Sequence, residues 1–389
     1  MSGPARRFAA GLALVVLMAL AACATVTPGA IPPRPIPASG PRCQRERIPV
    51  ALTAATTRPA STTPAASANP AAARYQVAGW LCADGSPRGR VIEVLVPGLT
   101  YGASYWNFPL DPGRYSYVRA ATGAGFATLA IDRPGTGGSS HPPAADVTAT
   151  SEAVALHDVV ERLRAGRVGA TRFRTVVLVG HSFGSEVALR EAGTYGDVDG
   201  VISTGWLTAG NPAGHLRVRD SYDASASDDP KFGHAGLPTG YVTTRPGTRG
   251  ADFYNTAYAS PAVINEDEAL KETVTSGELA SVVVPVPRAT TRRIHVPVLL
   301  ADGQDDDLDC SPTLPGASCA SAAALITRER ANFAPPACLR AFVLPTAGHS
   351  INLHPDAPRW FAAAARWIRG YVTGRPRPCP AAPVTGSSG

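Results

Sequence analysis

The residues best suited to chemistry lie at positions 180–184, which read Gly-His-Ser-Phe-Gly and fit the pattern G-x-S-x-G. A continuous apolar run precedes this segment, and a helical stretch is expected after it. A tight turn from strand to helix exposes the hydroxyl of its central serine, and small flanking residues let the backbones approach closely. This context predicts Ser182 as a nucleophile, with a glycine-rich turn and an incidental serine as the structural alternative.

A serine hydroxyl is a weak nucleophile unless a base takes its proton, so a histidine oriented by a carboxylate is needed as well. The strand, turn and helix around Ser182 resemble those of the alpha/beta hydrolase family, and the resemblance extends over roughly residues 75–373. It implies the chain order serine, acid, histidine, and a reaction without a cofactor. His349, which follows a late strand, stands where the family carries its histidine, and His354 is the nearby alternative.

The resemblance places the acid just after the strand that precedes the histidine strand. The segment 302–307 reads Asp-Gly-Gln-Asp-Asp-Asp and offers four carboxylates there. The family spacing, with the acid three residues beyond the glycine, points to Asp306, and Asp305 is the next candidate. A solvated turn and a calcium loop are the alternatives for this acidic run, although its spacing differs from that of an EF-hand.

Acyl transfer also needs hydrogen-bond donors aimed at the developing oxyanion. The resemblance implies two backbone amides. One belongs to Phe183, the residue after the nucleophile, and the other to Leu99 in the run Pro-Gly-Leu-Thr. The family often has histidine where this chain has Pro97, which is a departure from its pattern.

Two further segments near these residues invite interpretation. Trp106 and Phe108 either line an acyl pocket or pack in the core. The segment 132–140 resembles the family's loop D-x-x-G-x-G-x-S, which implies a structural turn beside the site.

The elements that must position these residues alternate between strand and helix. Strand runs without apolar–polar alternation belong to parallel sheets that are covered on both faces. The fold class is therefore α/β, with a doubly wound, mostly parallel sheet of the alpha/beta hydrolase type. The predicted strands are 91–96, 126–131, 175–179, 198–203, 296–301 and 339–344, and the predicted helices are 151–165, 186–191, 320–332 and 357–371.

The alternation stops between residues 205 and 293, where Gly, Asp, Tyr and Pro dominate around one helical stretch near 265–279. A structureless loop of this length inside a domain is uncommon, so this segment is predicted to be an inserted cap. The hydrolase core is then formed by residues 75–204 and 294–373, followed by a flexible tail at 374–389.

The N-terminal part carries export signals. Arg6 and Arg7 precede a short apolar run, which predicts a signal peptide over residues 1–22. Leu-Ala-Ala-Cys at its end resembles a bacterial lipobox, which implies lipidation of Cys23, a membrane anchor and a place at the cell surface; ordinary secretion is the alternative. Residues 23–74 are rich in Pro, Ala and Thr and predict a tether, with a possible first strand near 48–52.

The cysteines and the charge distribution predict disulfides and argue against some classes of ligand. Six cysteines remain after Cys23, and the proposed fold favours three disulfides: Cys43 with Cys82, Cys310 with Cys319, and Cys338 with Cys379. The net charge of +6 comes from the first 90 residues, which carry a net charge of +8, while the rest nets −2. A basic patch for nucleic acid is therefore not expected in the globular part. The sequence also lacks zinc-binding motifs.

The leading hypothesis is a serine hydrolase, an esterase or lipase acting on small-molecule or lipid esters, with Ser182, His349 and Asp306 as its triad. An amide or peptide hydrolase and a cofactor-free perhydrolase would carry the same triad. A catalytically idle surface lipoprotein that binds a ligand in the cleft is the alternative from another class.

Overall fold

An eight-stranded mixed sheet runs through the centre of the molecule. The computed structural model describes residue 1 and residues 40–53, 74–208, 210–282, 284, 286–310 and 318–374. The strands, including a separate two-stranded ladder, are β1 (Arg42–Val50), β2 (Tyr75–Ala83), β3 (Ile92–Val96), β4 (Ala127–Ile131), β5 (Val176–His181), β6 (Gly200–Thr204), β7 (Tyr241–Val242), β8 (Val274–Thr275), β9 (Val298–Gly303) and β10 (Arg340–Leu344).

The order of strands in the large sheet is β1-β2-β4-β3-β5-β6-β9-β10. The contacts of β2 with β1 and β4 are antiparallel, and all the others are parallel. Every residue of β3, β4, β5, β6 and β9 is buried, which is why these strands read as apolar runs without alternation. The predicted fold class is confirmed.

Helices cover both faces of this sheet, and their two apolar clusters contact its opposite sides. The α-helices are α1 (Pro112–Tyr115), α2 (Tyr117–Gly123), α3 (Ala149–Arg164), α4 (Phe183–Tyr195), α5 (Pro212–Arg219), α6 (Arg249–Phe253), α7 (Pro261–Leu270), α8 (Ser276–Val282), α9 (Arg288–Thr291), α10 (Ala322–Glu329) and α11 (Ala357–Trp367). Helices α1 and α2 were not expected from the sequence. Among the described residues, none of these helices has the length and apolarity needed to cross a bilayer.

The segment 205–293 contains α5 to α9 and the small β7–β8 ladder. The single helix predicted around residues 265–279 is wrong, because α7 ends at Leu270 and α8 begins at Ser276. Between them, β8 pairs with the distant β7. The β-branched residues of β8 favour this extended pairing over continuation of a helix.

The first strand is longer than the possible strand predicted near 48–52, because it begins at Arg42. It lies at the sheet edge, where exposed polar residues are compatible with a strand. Cys43 pairs directly with Cys82 of β2 in the ladder, and the two form a disulfide, as predicted. The predicted disulfide between Cys310 and Cys319 is present as well.

Several predictions fall on residues that the structure does not describe. The signal peptide over 1–22, the lipidated Cys23 and most of the proposed tether lie outside the described residues, as do Cys379 and nearly all of the proposed tail.

Candidate active site

Ser182 occupies the turn between β5 and α4, with φ of 52° and ψ of −127°. A positive φ is strained for a residue with a side chain, and such strain concentrates at functional sites. The amide of Ser182 donates to Thr204 O of the neighbouring strand β6, at 2.8 Å. The side chain makes no capping hydrogen bond to α4 and is partly exposed. The turn therefore presents the hydroxyl rather than using it structurally.

The two glycines of the segment 180–184 allow this turn to pack closely. A Cβ on Gly180 would come within 2.4 Å of Ser185 Cα, and one on Gly184 within 2.3 Å of Val96 O. Real Cβ atoms do not approach backbone this closely, so any larger residue at either position would push α4 away from β3 and β5.

His349 lies in the loop after β10, and its Nδ1 donates to Asp306 Oδ2 at 2.8 Å. The side chains of both residues are nearly or completely buried, at 3% and 0% exposed. Asp306 Oδ1 accepts from the amide of Leu308 at 2.9 Å. Since Nδ1 faces the carboxylate, Nε2 is left with its lone pair, which is the form that a general base requires.

The two members of this pair shift each other's pKa. Burial alone would raise the pKa of Asp306, but the charge and hydrogen bond of His349, with further hydrogen bonds, hold that pKa well below its usual range. Burial alone would lower the pKa of His349, but the Asp306 carboxylate outweighs it and raises that pKa. Asp306 is thus an ionised partner that favours a protonated imidazole.

Two other buried acids lie close to Asp306. Burial, and then the charge of Asp306, raise the pKa of Asp302 well above its usual value. The same two causes raise the pKa of Asp309 to about 7. The negative charge of this cluster is therefore concentrated on Asp306, next to the imidazole.

The neighbouring carboxylates point elsewhere. Asp305 is exposed and accepts from Asn255 Nδ2 at 2.7 Å. Asp307 is exposed and lies 3.3 Å from Arg217 Nη1. The carboxylates of this acidic run diverge, so they do not form the converging oxygen shell of a calcium loop.

His354 stabilises the loop that carries His349 by hydrogen bonds to its backbone. Its Nε2 accepts from the amides of Gly348 and Asn255, at 3.0 and 3.2 Å. Its Nδ1 lies 3.0 Å from Ser350 O, to which it donates when Nε2 is the acceptor. Both ring nitrogens are used to fix the loop, and the sequence carried no signal of this role.

Ser182 and His349 lie at the same edge of the sheet. The ring of His181, the neighbour of Ser182, is centred 4.9 Å from that of His349. Gly205 lies against both His181 and His349 O. The structure thus joins His349 and Asp306 by a hydrogen bond, and it places His349 beside His181, the residue before Ser182.

The two predicted oxyanion amides belong to segments that meet at Ser182. Phe183 is the first residue of α4, and Leu99 follows Gly98, whose Cα faces Ser182: a Cβ there would lie 2.9 Å from Ser182 Cβ. Neither amide donates to a protein acceptor within the part of the chain that the structure describes. Two free N–H groups beside a serine can bind a developing oxyanion.

Trp106 and Phe108 are both buried and pack against aromatic neighbours. They belong to the core rather than to an open acyl pocket. The segment 132–140 is a turn beside the site, as the resemblance implies, and Asp132 fixes it by accepting from the amides of Ala103 and Gly138, each at 2.8 Å.

The segment 205–293 supplies a buried ionic network that the sequence did not reveal. Arg249 pairs with Asp267 at 2.9 and 3.1 Å and donates to Thr100 Oγ1 at 2.9 Å. Tyr101 Oη contacts both Asp267 and Ser350, at 3.2 and 2.8 Å. The network ties this segment to the residues that follow Leu99 and His349, and its members are too far apart in sequence to form a recognisable pattern.

Among the described residues, one possible metal-binding group touches the site: ligand atoms of Asp306, Asp309 and His349 lie within 4.8 Å of one another. These atoms already have protein partners, because His349 Nδ1 donates to Asp306 and the Asp306 and Asp309 carboxylates accept from backbone amides. The arrangement fits an acid–base pair better than a cation site.

Comparison with solved structures yields the same fold at low identity. An esterase from Pyrococcus furiosus is 12% identical with a TM-score of 0.51, covering 89% of this chain and 99% of the esterase. An alpha/beta hydrolase from Penicillium sp. sh18 is 15% identical with a TM-score of 0.52, covering 84% and 98% of the two chains. A bromoperoxidase from Bacillus anthracis is 15% identical with a TM-score of 0.51, covering 76% and 96%.

No curated protein matches the chain in sequence. A sequence model of the alpha/beta hydrolase family does match, over residues 94–364, which is more than half of the chain. This range includes the strand–turn–helix around Ser182 and reaches beyond His349. The chain therefore belongs to the alpha/beta hydrolase family and is a hydrolase.

Proposed function

We propose that this hydrolase cleaves carboxylic esters through an acyl-enzyme formed on Ser182. The observation that carries the proposal is the buried hydrogen bond of 2.8 Å between His349 and Asp306, at the sheet edge where a strained turn presents Ser182. An ionised acid, an oriented imidazole and an accessible serine hydroxyl are the parts that nucleophilic acyl transfer requires.

In this mechanism, Ser182 Oγ attacks the ester carbonyl carbon while His349 Nε2 takes the hydroxyl proton. Asp306 stabilises the imidazolium without taking the proton itself. The amides of Leu99 and Phe183 donate to the oxyanion of the tetrahedral intermediate, each contributing roughly 3 kcal/mol. The intermediate collapses as His349 protonates the leaving alcohol. A water molecule, deprotonated by His349, then releases the acid and restores Ser182.

The substrate class is tested with the purified protein on p-nitrophenyl esters of increasing acyl length, with peptide p-nitroanilides alongside. We expect ester hydrolysis to dominate, together with covalent labelling of Ser182 by a fluorophosphonate. A preference for the anilides would assign the same triad to amide hydrolysis. A well-folded protein that neither turns over nor labels would instead favour an idle ligand-binding role.

The pH dependence of kcat/KM follows from the raised pKa of His349. The base must be neutral to accept the Ser182 proton, so activity is present above this pKa and is lost as the pH falls through it. We expect the acid limb to have its midpoint above the ordinary histidine value of about 6.5. A profile from about pH 5 to pH 9 measures this midpoint. A midpoint near the ordinary carboxyl value would contradict the assignment of His349 as the base.

We also propose that the enzyme is exported and anchored at the cell surface through Cys23. The disulfides Cys43–Cys82 and Cys310–Cys319 support an oxidising compartment. A single acyl chain gives only marginal membrane binding, so stable attachment needs the several chains of a bacterial lipoprotein. Cys23→Ala should move the protein from the membrane fraction to the soluble fraction with unchanged ester turnover, and a variant that stays with the membranes contradicts lipidation.

A further inference from the structure

A buried guanidinium lies directly beneath the predicted oxyanion loop. Arg133 is 1% exposed and donates through Nε to Pro97 O at 2.9 Å and through Nη2 to Gly98 O at 3.0 Å. Two consecutive carbonyls of this loop are therefore held by one planar, rigid side chain. A guanidinium has its donors in a fixed fork, so the two hydrogen bonds set the orientation of both peptide planes.

The orientation of the second peptide plane determines where Leu99 N–H points. A trans peptide unit is planar, and its C=O and N–H point in opposite directions. Because Gly98 O points at Arg133, the N–H of Leu99 points away from the buried guanidinium. No protein group accepts from that N–H within the described residues. Arg133 thus directs a free donor out of the loop.

The same guanidinium is held from two other elements. Arg133 Nη1 donates to both carboxylate oxygens of Glu152 on α3, at 2.8 and 2.9 Å, and to Glu278 Oε1 on α8. The other Glu278 oxygen accepts, at 2.8 Å, from the amide of Thr275, the last residue of β8. One oxygen of the Glu278 carboxylate therefore binds the backbone of its own segment, 205–293, and the other binds Arg133.

Two carboxyl groups share one guanidinium in this cluster, and all three side chains are buried. A fully buried ionic group costs several kcal/mol of desolvation and is weak evidence for stability, so a role in positioning accounts for it better. Arg133 also lies 5.3 Å from the ring of Phe183, the residue that carries the second amide.

We propose that Arg133 is a positioning residue for the oxyanion hole. Glu278, in turn, makes the position of Arg133 depend on how the segment 205–293 packs against the core. This rests on the proposed function, since it assigns a role to the Leu99 amide in acyl transfer. When Glu278 holds Arg133, the Gly98–Leu99 peptide has its donor in place. When that contact is lost, Glu152 and the two carbonyls alone hold the guanidinium, so the donor is positioned less precisely.

Two variants test this, Arg133→Lys and Glu278→Gln. Lysine keeps the charge without the fork that holds two carbonyls, and glutamine keeps the size of Glu278 without its charge. We expect kcat on a p-nitrophenyl ester to fall about 10²-fold in Arg133→Lys and about tenfold in Glu278→Gln. KM should change by less than about threefold, because the donor acts on the transition state rather than on the bound ester.

The affinity for a trifluoromethyl ketone, which forms a tetrahedral adduct with serine, distinguishes a positioning role from a merely structural one. In each variant, the affinity for this ketone should fall by the same factor as kcat/KM. The matched control is Asp229→Asn, which removes a carboxylate from another buried ion pair of the same segment, 2.6 Å from Lys271 Nζ. This control should lower the melting temperature while kcat stays at the wild-type value.

The outcomes separate this proposal from the proposed function. A wild-type protein that fails to hydrolyse esters or to label with a fluorophosphonate overturns the function itself. If the wild type is active and both variants fold but keep the wild-type kcat, only the role of Arg133 and Glu278 is overturned. A change in KM alone would also overturn that role. If Arg133→Lys does not fold, Glu278→Gln decides the question, since it leaves the guanidinium in place.

Discussion

Ser182→Ala should lower ester turnover by about 10⁴-fold or more, because no other group can form the acyl-enzyme. His349→Ala should have an effect of similar size. The double variant should be little worse than either single variant, since the two residues act as one unit. Initial rates on a p-nitrophenyl ester measure all three, and fluorophosphonate labelling should disappear in Ser182→Ala.

Thermal melts must accompany these rates. Ser182 has a strained positive φ, and removing a side chain that serves function rather than packing can leave stability unchanged or raise it. Ser203→Ala is a matched control, because Ser203 is a buried serine on the neighbouring strand β6. It should retain its turnover. A well-folded Ser182→Ala protein with wild-type turnover would exclude the mechanism.

Asp306→Asn should lower kcat by about 10³- to 10⁴-fold. An asparagine side chain can donate to Nδ1 and so favour the wrong imidazole tautomer, and it cannot stabilise the imidazolium. The variant leaves Asp305 and Asp307 in place, but their carboxylates contact Asn255 and Arg217 and cannot replace that of Asp306. Steady-state kinetics at a pH well above the His349 midpoint give the loss in kcat.

Asp305→Asn is the matched control for this change. It removes one exposed carboxylate whose partner is Asn255, and turnover should stay within about twofold of wild type. If Asp305→Asn proves more damaging than Asp306→Asn, the assignment of the acid is off by one residue. The control should also leave the acid limb of the kcat/KM profile where the wild type has it.

Local patterns in the sequence were enough to predict the main elements of the hydrolase core. A strand buried on both faces must be apolar throughout, so β3, β4, β5 and β9 were recognisable from composition alone. The segment 180–184 was recognisable because only small residues at positions 180 and 184 allow the tight turn in which Ser182 has a strained φ. The constraint on Gly180 lies within the turn itself, because a Cβ there would meet Ser185, and the family resemblance then pointed to His349 and Asp306.

Errors occurred where a distant partner decides the local structure. Residues 274–275 extend the apparent helix when read alone, but they become a strand because residues 241–242 lie beside them. The polar start of β1 resembles a linker, yet it pairs with β2 at the sheet edge. In both cases the pairing energy comes from backbone hydrogen bonds across a gap of some thirty residues, which no local pattern encodes.

Local patterns in the sequence thus predicted the buried strands of the sheet, the turn at Ser182 and the type of chemistry that we propose for this turn. The tertiary structure was needed to show which aspartate faces His349, because Asp305, Asp306 and Asp307 have the same side chain and differ only in burial and direction. It alone also placed Arg133 under the Gly98–Leu99 peptide and brought Glu278 to it from 145 residues away. Contacts between side chains depend on where folding brings their backbones, and that position is a property of the whole chain rather than of any segment.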